Sequence, residues 1–374
     1  MVYKVIGLMS GSSLDGLDLV YVHLQEKTAT VQQHPKSWEY TLIHSACYPY
    51  TAEWKQKLAG APQLSALDYQ LLHTEYGHYL GQQVNKFIEE FGLHYKVQLV
   101  VSHGHTAFHW PGRRMTAQLG DGAAIAAETR INVVSDLRAM DLALGGQGAP
   151  IVPIGEKLLL PGYEFFLNLG GIANVSRHQL AFDVCPANRV LNALAELEGK
   201  PYDENGFLAA GGEIHQNLLH QLNALPYYDL AYPKSLDNEF GTETVLPLIH
   251  AAGLSTADAL RTYVEHIVTQ IARSIQELDT VGGPSSAGPA PDPTPRRMLV
   301  TGGGAHNHFL IERLKSHLNV EVVVPDDQLA DYKEALIMAL IGVLRWREEY
   351  NVLSSVTGAS RDSIGGAVWI GQDA

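Results

Sequence analysis

The sequence predicts an α/β fold with two domains, and three observations support this prediction. The chain has 374 residues, which favours two domains over one. Short apolar strands alternate with longer segments of helical periodicity. Three strands run directly into glycine-rich turns, at Met9–Gly16, Gly170–Gly171 and Gly302–Gly304. Because such turns bring several backbone N–H groups together, they suit phosphate, and we expect a nucleotide held from several sides.

The N-terminal half predicts a β-hairpin followed by a long helix. Tyr3–Leu8 and Leu17–Leu24 are the strands of the hairpin, and Val31–Pro49 adds one or two more strands. Apolar residues at helical spacing predict a helix over Leu64–Phe91, and Ser65 followed by Asp68 is compatible with a capping box. The shorter elements expected after it are strands at Val97–Ser102 and Asn132–Leu137 and an alanine-rich helix at Asp121–Glu128.

The C-terminal half repeats the pattern of the N-terminal half. Tyr3–Leu24 and Glu164–Val184 both consist of a strand, a glycine turn and a strand, which predicts duplicated half-domains with both turns at one ligand. The other elements expected here are helices at Arg189–Glu198, Glu213–Leu225, Thr256–Leu278, Asn307–His317 and Glu334–Glu349, and a strand at Val320–Val324. A run rich in Pro, Gly and Ser at 280–295 predicts a flexible surface loop whose deletion leaves activity largely intact.

A glycine- and proline-rich crossing at Gly145–Pro153 marks the expected junction between the two domains. We therefore place residues 1–140, together with the C-terminal tail 352–374, in the N-terminal domain. Residues 141–351 form the C-terminal domain of this prediction.

Composition and charge exclude several classes of protein. The formal net charge of −14 argues against nucleic acid as the main partner, although it leaves room for ATP. Cys47 and Cys185 are far apart and form no C-x-x-C, so we expect neither a disulfide scaffold nor a zinc knuckle. The chain has no signal-peptide pattern and no apolar run long enough for a membrane span. These features predict a cytoplasmic protein without a membrane partner.

The first and third glycine turns each have two interpretations. The first offers hydroxyls at Ser12 and Ser13 and carboxylates at Asp15 and Asp18, but the same residue types favour an ordinary hairpin loop. It contains no P-loop pattern, and no strand is followed by G-x-G-x-x-G. In the third turn, three consecutive glycines favour a nucleotide over a simple helix-entry turn.

Two further segments carry candidate catalytic or binding side chains. Asp183 ends an apolar strand beside a glycine turn, where it could act as a general base or cap the next helix. In the histidine-dense segment Ser102–Pro111, His103 and His105 could form an H-x-H zinc pair, but hydrogen bonding of a substrate by His103 or Thr106 is favoured. Trp110 could stack on a sugar or simply pack.

Glu334 and Cys185 are weaker candidates. Glu334 is expected to open an apolar helix, where a negative charge is favourable whether or not it has a function. Cys185 lies close to Asp183 and could be a nucleophile, but a buried small residue is favoured because no histidine is near it in sequence.

Motifs in family order over nearly the whole chain resemble those of the anhydro-N-acetylmuramic acid kinases. They are Met9–Asp18 (MSGSSLDGLD), Ser102–Pro111 (SHGHTAFHWP), Gln118–Ala126 (QLGDGAAIA), Val134–Asp141 (VSDLRAMD), Gly145–Pro153 (GGQGAPIVP), Asn168–Val175 (NLGGIANV), Phe182–Asn188 (FDVCPAN) and Gly302–Asn307 (GGGAHN). The resemblance implies the two-domain fold shared by actin, heat-shock ATPases and hexokinase-like sugar kinases, a ribonuclease H-like fold. In it, mixed sheets are flanked by helices and ATP occupies a central cleft.

The resemblance also implies a reaction. Water opens the 1,6-anhydro ring of anhydro-N-acetylmuramic acid while O6 takes the γ-phosphoryl group of ATP, giving a sugar 6-phosphate in peptidoglycan recycling. Asp183 matches the catalytic Asp that deprotonates this water, and Glu334 matches a carboxylate near the substrate. Mg²⁺ and a homodimer are expected from the family, with Asp15 as one candidate metal ligand.

The assignments of binding residues follow the matching motifs. The expected ATP-binding residues are Gly11, Ser12, Ser13, Leu14, Asp15, Gly16, Leu17, Asp18, Gly170, Gly171, Asn174, Gly302, Gly303, Gly304 and Asn307. The expected substrate-binding residues are His103, Thr106, Arg138, Asn168 and Glu334.

The chain departs from the common family pattern at three places. Ser12-Ser13 replaces Thr-Ser, His105 replaces Gln, and Val184–Ala187 (VCPA) replaces Thr-Gly-Pro-Gly. The last change lies beside Asp183 and concerns the fit of the sugar more than the reaction. The alternatives are therefore a kinase for another 1,6-anhydro sugar, such as levoglucosan, and a non-catalytic nucleotide-dependent sensor.

Overall fold

The computed structural model describes residues 1–11, 14–27, 37–178, 180–232, 234–237, 239–281 and 295–371. The packing divides the chain into two compact units, Met1–Pro161 with Tyr332–Ala374 and Gly162–Asp331. Most of the predicted loop at 280–295 lies outside the described residues. Within them, no helix combines the length and the apolar character needed to cross a membrane.

The strands are β1 (Val2–Ser10), β2 (Gly16–Glu26), β3 (Trp38–Pro49), β4 (Leu99–Ser102), β5 (His105–Trp110), β6 (Met115–Leu119), β7 (Val133–Ser135), β8 (Phe165–Leu169), β9 (Ile172–Arg177), β10 (Leu180–Pro186), β11 (Arg297–Thr301), β12 (Glu321–Val323) and β13 (Ala367–Trp369).

The α-helices are α1 (Ala52–Gly60), α2 (Ala66–Glu90), α3 (Gly122–Thr129), α4 (Ala139–Ala143), α5 (Pro153–Leu159), α6 (Asn188–Glu196), α7 (Phe207–Gly211), α8 (Gln216–Asn223), α9 (Leu246–Ala251), α10 (Thr256–Val281), α11 (His308–His317), α12 (Asp327–Trp346) and α13 (Ser354–Thr357). Short 3₁₀ turns lie at Ala61–Gln63, Pro111–Arg113, Glu204–Gly206, Pro226–Asp229 and Gly303–His306, and a π-helical turn at Phe240–Val245.

The first unit is built on a six-stranded sheet in the order β13-β7-β4-β1-β2-β3. Strands β1 and β2 form the predicted antiparallel hairpin, and β4 runs parallel to β1. Apolar side chains from the hairpin, such as Leu8 and Leu19, pack in a buried core with Leu80 and Phe87 of α2. Strands β5 and β6 form a separate two-stranded ribbon.

The second unit has a five-stranded sheet in the order β10-β9-β8-β11-β12. Strands β8, β9 and β10 are antiparallel, whereas β11 and β12 run parallel to β8 and to each other. In both units the first hairpin is thus extended on one side by an antiparallel strand and on the other by two parallel strands, to which the first unit adds β13 as an antiparallel edge strand. The predicted strand, glycine turn and strand are present in both units, and the α/β class with mixed sheets flanked by helices is confirmed. That both turns lie at one ligand stays a prediction.

Helix α2 begins where its cap predicts. The Ser65 hydroxyl accepts from Asp68 N–H at 3.2 Å and donates to the Asp68 carboxylate at 2.7 Å. Of the apolar residues whose spacing predicts this helix, Leu67 and Leu71 are 69% and 61% exposed, whereas Leu80, Val84 and Phe87 are buried. The buried face instead uses Leu72, Tyr76, Leu80, Val84 and Phe87, which follow one another at intervals of three and four residues.

The start of α12 corrects the prediction that Glu334 opens a helix. The helix begins at Asp327, because the Asp326 carboxylate accepts from Leu329 N–H at 2.8 Å and caps it. Glu334 therefore lies two turns inside the helix, and a charge at the helix N-terminus does not explain it.

The boundaries between the two units also differ from the predicted ones. From Tyr332 onward, α12 belongs to the first unit, where Gly7 and Gly342 have no room for a Cβ against Ala335 and Val101. The glycine-rich crossing lies inside the first unit as well, because the buried Asp141 carboxylate accepts from both Gly148 N–H and the Thr357 hydroxyl at 2.7 Å.

Candidate active site

Three predicted site residues lie in one row across the sheet of the second unit. Asn168 on β8 pairs with Asn174 on β9, which pairs with Asp183 on β10. Thr301 on β11 pairs with Asn168 and extends the row by one strand. Directly paired residues present their side chains on the same face of a sheet. The sheet therefore groups a carboxylate, two amides and a hydroxyl next to the second and third glycine turns.

Asp183 is held by backbone and side-chain contacts on two sides. Its Oδ2 accepts from Leu236 N–H at 3.0 Å, its N–H donates to the Lys234 carbonyl at 3.4 Å, and its carbonyl accepts from the Tyr227 hydroxyl at 2.6 Å. The strand register shifts between Asp183 and Cys185, a bulge of the kind that re-aims side chains beside functional sites. Burial raises the pKa of Asp183, and the hydrogen bond from Leu236 opposes that rise.

The alternative role of Asp183 as a helix cap is wrong. The N-cap position of α6 is Ala187, and no side chain caps that helix end. The alternative of Cys185 as a nucleophile fails too, since its thiol is fully buried and burial raises its pKa. Both cysteines are free thiols, as predicted.

The second glycine turn is tied to the start of α6. The Gly170 carbonyl accepts from Asn188 N–H at 3.0 Å, and the Gly171 carbonyl accepts from Ala187 N–H at 2.8 Å. The Asn188 side chain donates to the Leu169 carbonyl at 2.9 Å. The turn is therefore fixed by its carbonyl groups.

Packing explains two of the three glycines in the third turn. Gly302 has φ +83°, and a Cβ there would lie 2.5 Å from Asn168 Oδ1. A Cβ on Gly304 would lie 2.6 Å from Leu169 Cβ, whereas at Gly303 the nearest atom, Asn188 Nδ2, is 3.6 Å away. Gly302 and Gly304 are thus required by the end of β8, and Gly303 is the glycine that packing leaves unexplained. Asn307, also assigned to ATP, caps α11 by accepting from Leu310 N–H at 3.0 Å.

The first glycine turn connects β1 and β2 of the first unit. Leu14 has φ +58°, and its N–H donates to the Gly11 carbonyl at 3.4 Å. Gly16 is required by packing, because a Cβ there would meet the Tyr48 carbonyl at 2.8 Å, and the Leu17 side chain lies in the buried core. Ser12 and Ser13 lie outside the described residues. Asp15 and Asp18 remain the carboxylates that this turn offers.

A buried hydrogen-bond chain that sequence reasoning missed ends at His105. The Tyr76 and Tyr50 hydroxyls are 2.6 Å apart, Tyr50 donates to Ser10 Oγ at 2.8 Å, and Ser10 Oγ lies 3.0 Å from His105 Nδ1. Burial lowers the pKa of His105 to about 4, so its imidazole is neutral at neutral pH. Ser10 is the last residue of β1, and these hydrogen bonds hold the end of the strand that leads into Gly11 of the first glycine turn.

His103 holds Arg138 rather than standing free. Its Nδ1 lies 2.9 Å from the Gly104 carbonyl, and its Nε2 accepts from Arg138 Nε–H at 2.8 Å. Nδ1 therefore carries the proton, and burial lowers the pKa of His103 to about 3. Arg138 also donates through Nη1 to the Gly148 carbonyl at 2.7 Å. Among the described residues, Arg138 Nη2 has no hydrogen-bond partner.

Glu334 lies in a group of buried charges that includes two residues not predicted from the sequence. Burial raises the pKa of Glu334, the positive charges of Lys333 and Arg138 oppose the rise, and Glu156 adds to it. Lys333 Nζ and Glu156 Oε1 form an ion pair at 2.9 Å, with both side chains almost fully buried. Thr106, by contrast, is exposed and accepts from Gln118 Nε2 at 3.3 Å.

The zinc alternative for the H-x-H pair has no support in the described part of the chain. His103 Nε2 and His105 Nδ1 are both engaged in the contacts above. No group of three or more His, Cys, Asp or Glu side chains is placed there to hold a metal ion. Trp110 is 53% exposed and lies near Phe108, with ring centroids 5.7 Å apart.

Comparison with known proteins leads to the same family as the sequence motifs. The anhydro-N-acetylmuramic acid kinase family model matches residues 3–371. An anhydro-N-acetylmuramic acid kinase of Methylobacterium nodulans is 33% identical over 97% of this chain and 98% of its own length. One of Vibrio vulnificus is 32% identical over 95% of each chain.

A solved structure, the activator of the 2-hydroxyisocaproyl-CoA dehydratase from Clostridium difficile with bound ADPNP, shows a distant likeness. Its TM-score is 0.43 and its identity 14%, with 94% of this chain and 99% of that chain covered. The full-length family match and the identities above 30% decide the assignment, and the chain belongs to the anhydro-N-acetylmuramic acid kinase family.

Proposed function

We propose that the chain uses ATP to phosphorylate O6 of 1,6-anhydro-N-acetylmuramic acid while water opens the anhydro ring. The product is N-acetylmuramic acid 6-phosphate, formed in peptidoglycan recycling. Family membership supports this function. The structural observation that carries it is Asp183, a partly buried carboxylate with one oxygen held by Leu236 N–H and a pKa raised by burial.

Asp183 is assigned the role of general base. It takes a proton from water as the water oxygen bonds to C1 and the C1–O6 bond breaks. O6 then bonds to the γ-phosphorus, and the bond from that phosphorus to the bridging oxygen breaks to release ADP. The raised pKa strengthens the carboxylate as a base, provided that it is ionised at the working pH.

Phosphate binding is assigned to the glycine turns. Packing leaves the backbone at Gly303 open to a ligand, and Gly11–Asp18 supplies the second phosphate-binding turn. Mg²⁺ would be held by Asp15 or Asp18 together with phosphate oxygens, since this cation prefers oxygen ligands and takes few from the protein. The carboxylates present fit that preference. The ion would neutralise charge on the transferring phosphoryl group.

Sugar binding is assigned to the group around Arg138. A guanidinium fork pairs well with a carboxylate, and the lactyl ether of muramic acid carries one. Arg138 offers Nη2 to this group because His103 and Gly148 occupy Nε and Nη1. Levoglucosan lacks the carboxylate, so this assignment favours the muramic sugar over that alternative. Asn168, Thr106 and Glu334 are proposed as further substrate contacts.

Product analysis tests the proposed function. The purified protein is incubated with ATP, Mg²⁺ and either 1,6-anhydro-N-acetylmuramic acid or levoglucosan, and ADP and sugar phosphate are measured by mass spectrometry. We expect one N-acetylmuramic acid 6-phosphate per ADP, and much slower turnover of levoglucosan. Preference for levoglucosan would favour the other sugar kinase, and ATP binding without any sugar phosphate would favour a sensor.

We also propose a cytoplasmic homodimer. The family resemblance motivates both, and the two free cysteines fit a reducing compartment. Light scattering on the purified chain tests the dimer, for which a mass near twice 40.9 kDa is expected.

A further inference from the structure

A charged residue on α10 fastens the segment that contacts Asp183. The Glu277 carboxylate uses both oxygens, with Oε1 accepting from Tyr232 N–H at 3.2 Å and Oε2 lying 3.2 Å from Lys234 Nζ. The Lys234 side chain is 6% exposed and lies over the Phe182 and Tyr227 rings, 5.2 and 5.7 Å from their centroids. Tyr232 and Lys234 are thus both anchored to one side chain of a long helix.

The same segment makes the contacts that orient Asp183. The Lys234 carbonyl accepts from Asp183 N–H, and Leu236 N–H donates to Asp183 Oδ2 at 3.0 Å. Two contacts, Glu277 with the Lys234 ammonium and Leu236 N–H with the carboxylate, therefore link Glu277 to Asp183 through the backbone between Lys234 and Leu236. Tyr227 closes the arrangement, because its hydroxyl donates to the Asp183 carbonyl while its ring lies against the Lys234 ammonium.

We propose that Glu277 and Lys234 are positioning residues for Asp183, an inference that rests on the proposed role of Asp183 as the base. A hydrogen bond to a carboxylate stabilises its charged form and fixes its rotation. When the Glu277–Lys234 pair is lost, the segment carrying Leu236 N–H is released. The carboxylate then loses the bond that orients it and that opposes the effect of burial on its pKa.

The groups near Asp183 determine the direction in which its pKa changes when the segment is released. Tyr227 and Cys185 lie nearby, and burial raises the pKa of each, so both stay protonated. Lys234 and Glu277 form the ion pair that joins this segment to α10. Because Leu236 N–H lowers the pKa of Asp183, loss of that bond moves the acidic limb of the pH–rate profile to higher pH.

Kinetics of two variants and a matched control test the proposal. Glu277→Gln removes the carboxylate charge of the pair, and Lys234→Met removes the ammonium charge. Arg273→Gln is the control, since Arg273 lies one turn away on α10 and pairs with the exposed Asp229 at 3.3 Å instead. We expect kcat to fall about 10- to 100-fold in both variants, with the KM for ATP unchanged. The acidic limb of the pH–rate profile should move to higher pH in both. The control should keep the original kcat and pH profile.

A double variant separates this proposal from the proposed function. If Glu277 acts through Asp183, adding Glu277→Gln to Asp183→Asn lowers kcat no further. Normal kcat and an unmoved acidic limb in either single variant would overturn the proposal, as would an undiminished effect of Glu277→Gln in the Asp183→Asn background. A near-normal rate for Asp183→Asn alone would instead overturn the role of Asp183 as base.

Thermal unfolding of each variant shows whether lost activity reflects lost folding, and a folded Lys234→Met with normal kcat decides against the proposal.

Discussion

Arg138 Nε–H donates to His103 Nε2 at 2.8 Å, and this bond assigns His103 a different task from the one that the sequence suggests. The other ring nitrogen faces the Gly104 carbonyl, so both nitrogens are engaged within the protein. Because burial lowers the pKa of His103 to about 3, the ring is neutral and Nε2 remains an acceptor. We therefore propose that His103 acts on the sugar through Arg138.

Substitution of His103 is expected to weaken sugar binding. In His103→Leu the Arg138 Nε–H loses its acceptor. The guanidinium is then no longer held in one orientation, and we expect the KM for the sugar to rise about 10- to 100-fold. The KM for ATP should stay unchanged. Steady-state kinetics with each substrate varied in turn measure both constants. His103→Gln retains an acceptor and should recover part of the loss, whereas an unchanged KM in His103→Leu would contradict the assignment.

Folding stability is expected to decrease as the pH is lowered, because three histidines are buried in their neutral form. Burial lowers the pKa of His103, His105 and His266 to about 3, 4 and 3. Below about pH 6.5, the unfolded chain binds protons at these sites that the folded protein does not. The contribution of these histidines to the free energy of unfolding is therefore complete above that pH. It decreases by about 2 kcal/mol per histidine between pH 6.5 and pH 5. The raised pKa values of Asp183 and Glu334 act in the opposite direction, since those carboxyls hold protons longer in the folded state.

Urea unfolding at pH 7 and pH 5 measures this effect. We expect a lower urea midpoint at pH 5 than at pH 7. In the unaltered protein the ring nitrogens of His266 contact Asn223 and Tyr228. His266→Gln removes this titrating ring and should reduce the difference between the two midpoints. The exposed His94 provides the control, because His94→Gln should leave the difference unchanged. Equal midpoints at the two pH values in the unaltered protein would contradict the prediction.

The buried pair of Lys333 and Glu156 is expected to tolerate loss of both charges better than loss of one. Lys333→Met removes the ion pair that the almost fully buried Glu156 makes at 2.9 Å, at a cost of about 3–5 kcal/mol. Adding Glu156→Gln also removes the buried negative charge of this pair and should recover a large part of the stability. A double-mutant cycle by urea unfolding measures the coupling, and additive effects of the two substitutions would contradict it.

Two neighbouring glycines should respond differently to alanine. Gly302→Ala places a Cβ at φ +83° against Asn168 Oδ1 and should destabilise the second unit by about 1–3 kcal/mol. Gly303→Ala has room in the folded chain and should unfold at the same temperature as the unaltered protein. If Gly303 contacts phosphate, its alanine variant raises the KM for ATP without loss of stability. An unchanged KM for ATP in Gly303→Ala would remove Gly303 from the nucleotide site.

Local signals in the sequence predicted the framework well. Apolar strands followed by glycine turns located both hairpins, and Ser65 with Asp68 located the start of α2. The start of α12 was missed although Asp326 after Pro325 is a recognisable cap signal. The polar residues between that cap and Glu334 concealed the first turns of the helix, because the apolar run begins only after them.

Contacts between distant residues could not be predicted in this way. Lys333 and Glu156 are 177 positions apart, and His105 lies 95 positions from Ser10. No local pattern links such residues, since only the folded chain brings them together. The glycines of the third turn illustrate a second limit. A glycine required by β8, such as Gly302, and a glycine that leaves space for a ligand, such as Gly303, have the same sequence signature.

The rate of Asp183→Asn with ATP and 1,6-anhydro-N-acetylmuramic acid tests the central claim most directly. The substitution keeps an oxygen that can accept from Leu236 N–H but removes the base. We expect formation of the sugar 6-phosphate to slow about 10²- to 10⁴-fold, with ATP still bound and the thermal unfolding temperature retained. A rate close to that of the unaltered protein would contradict the account.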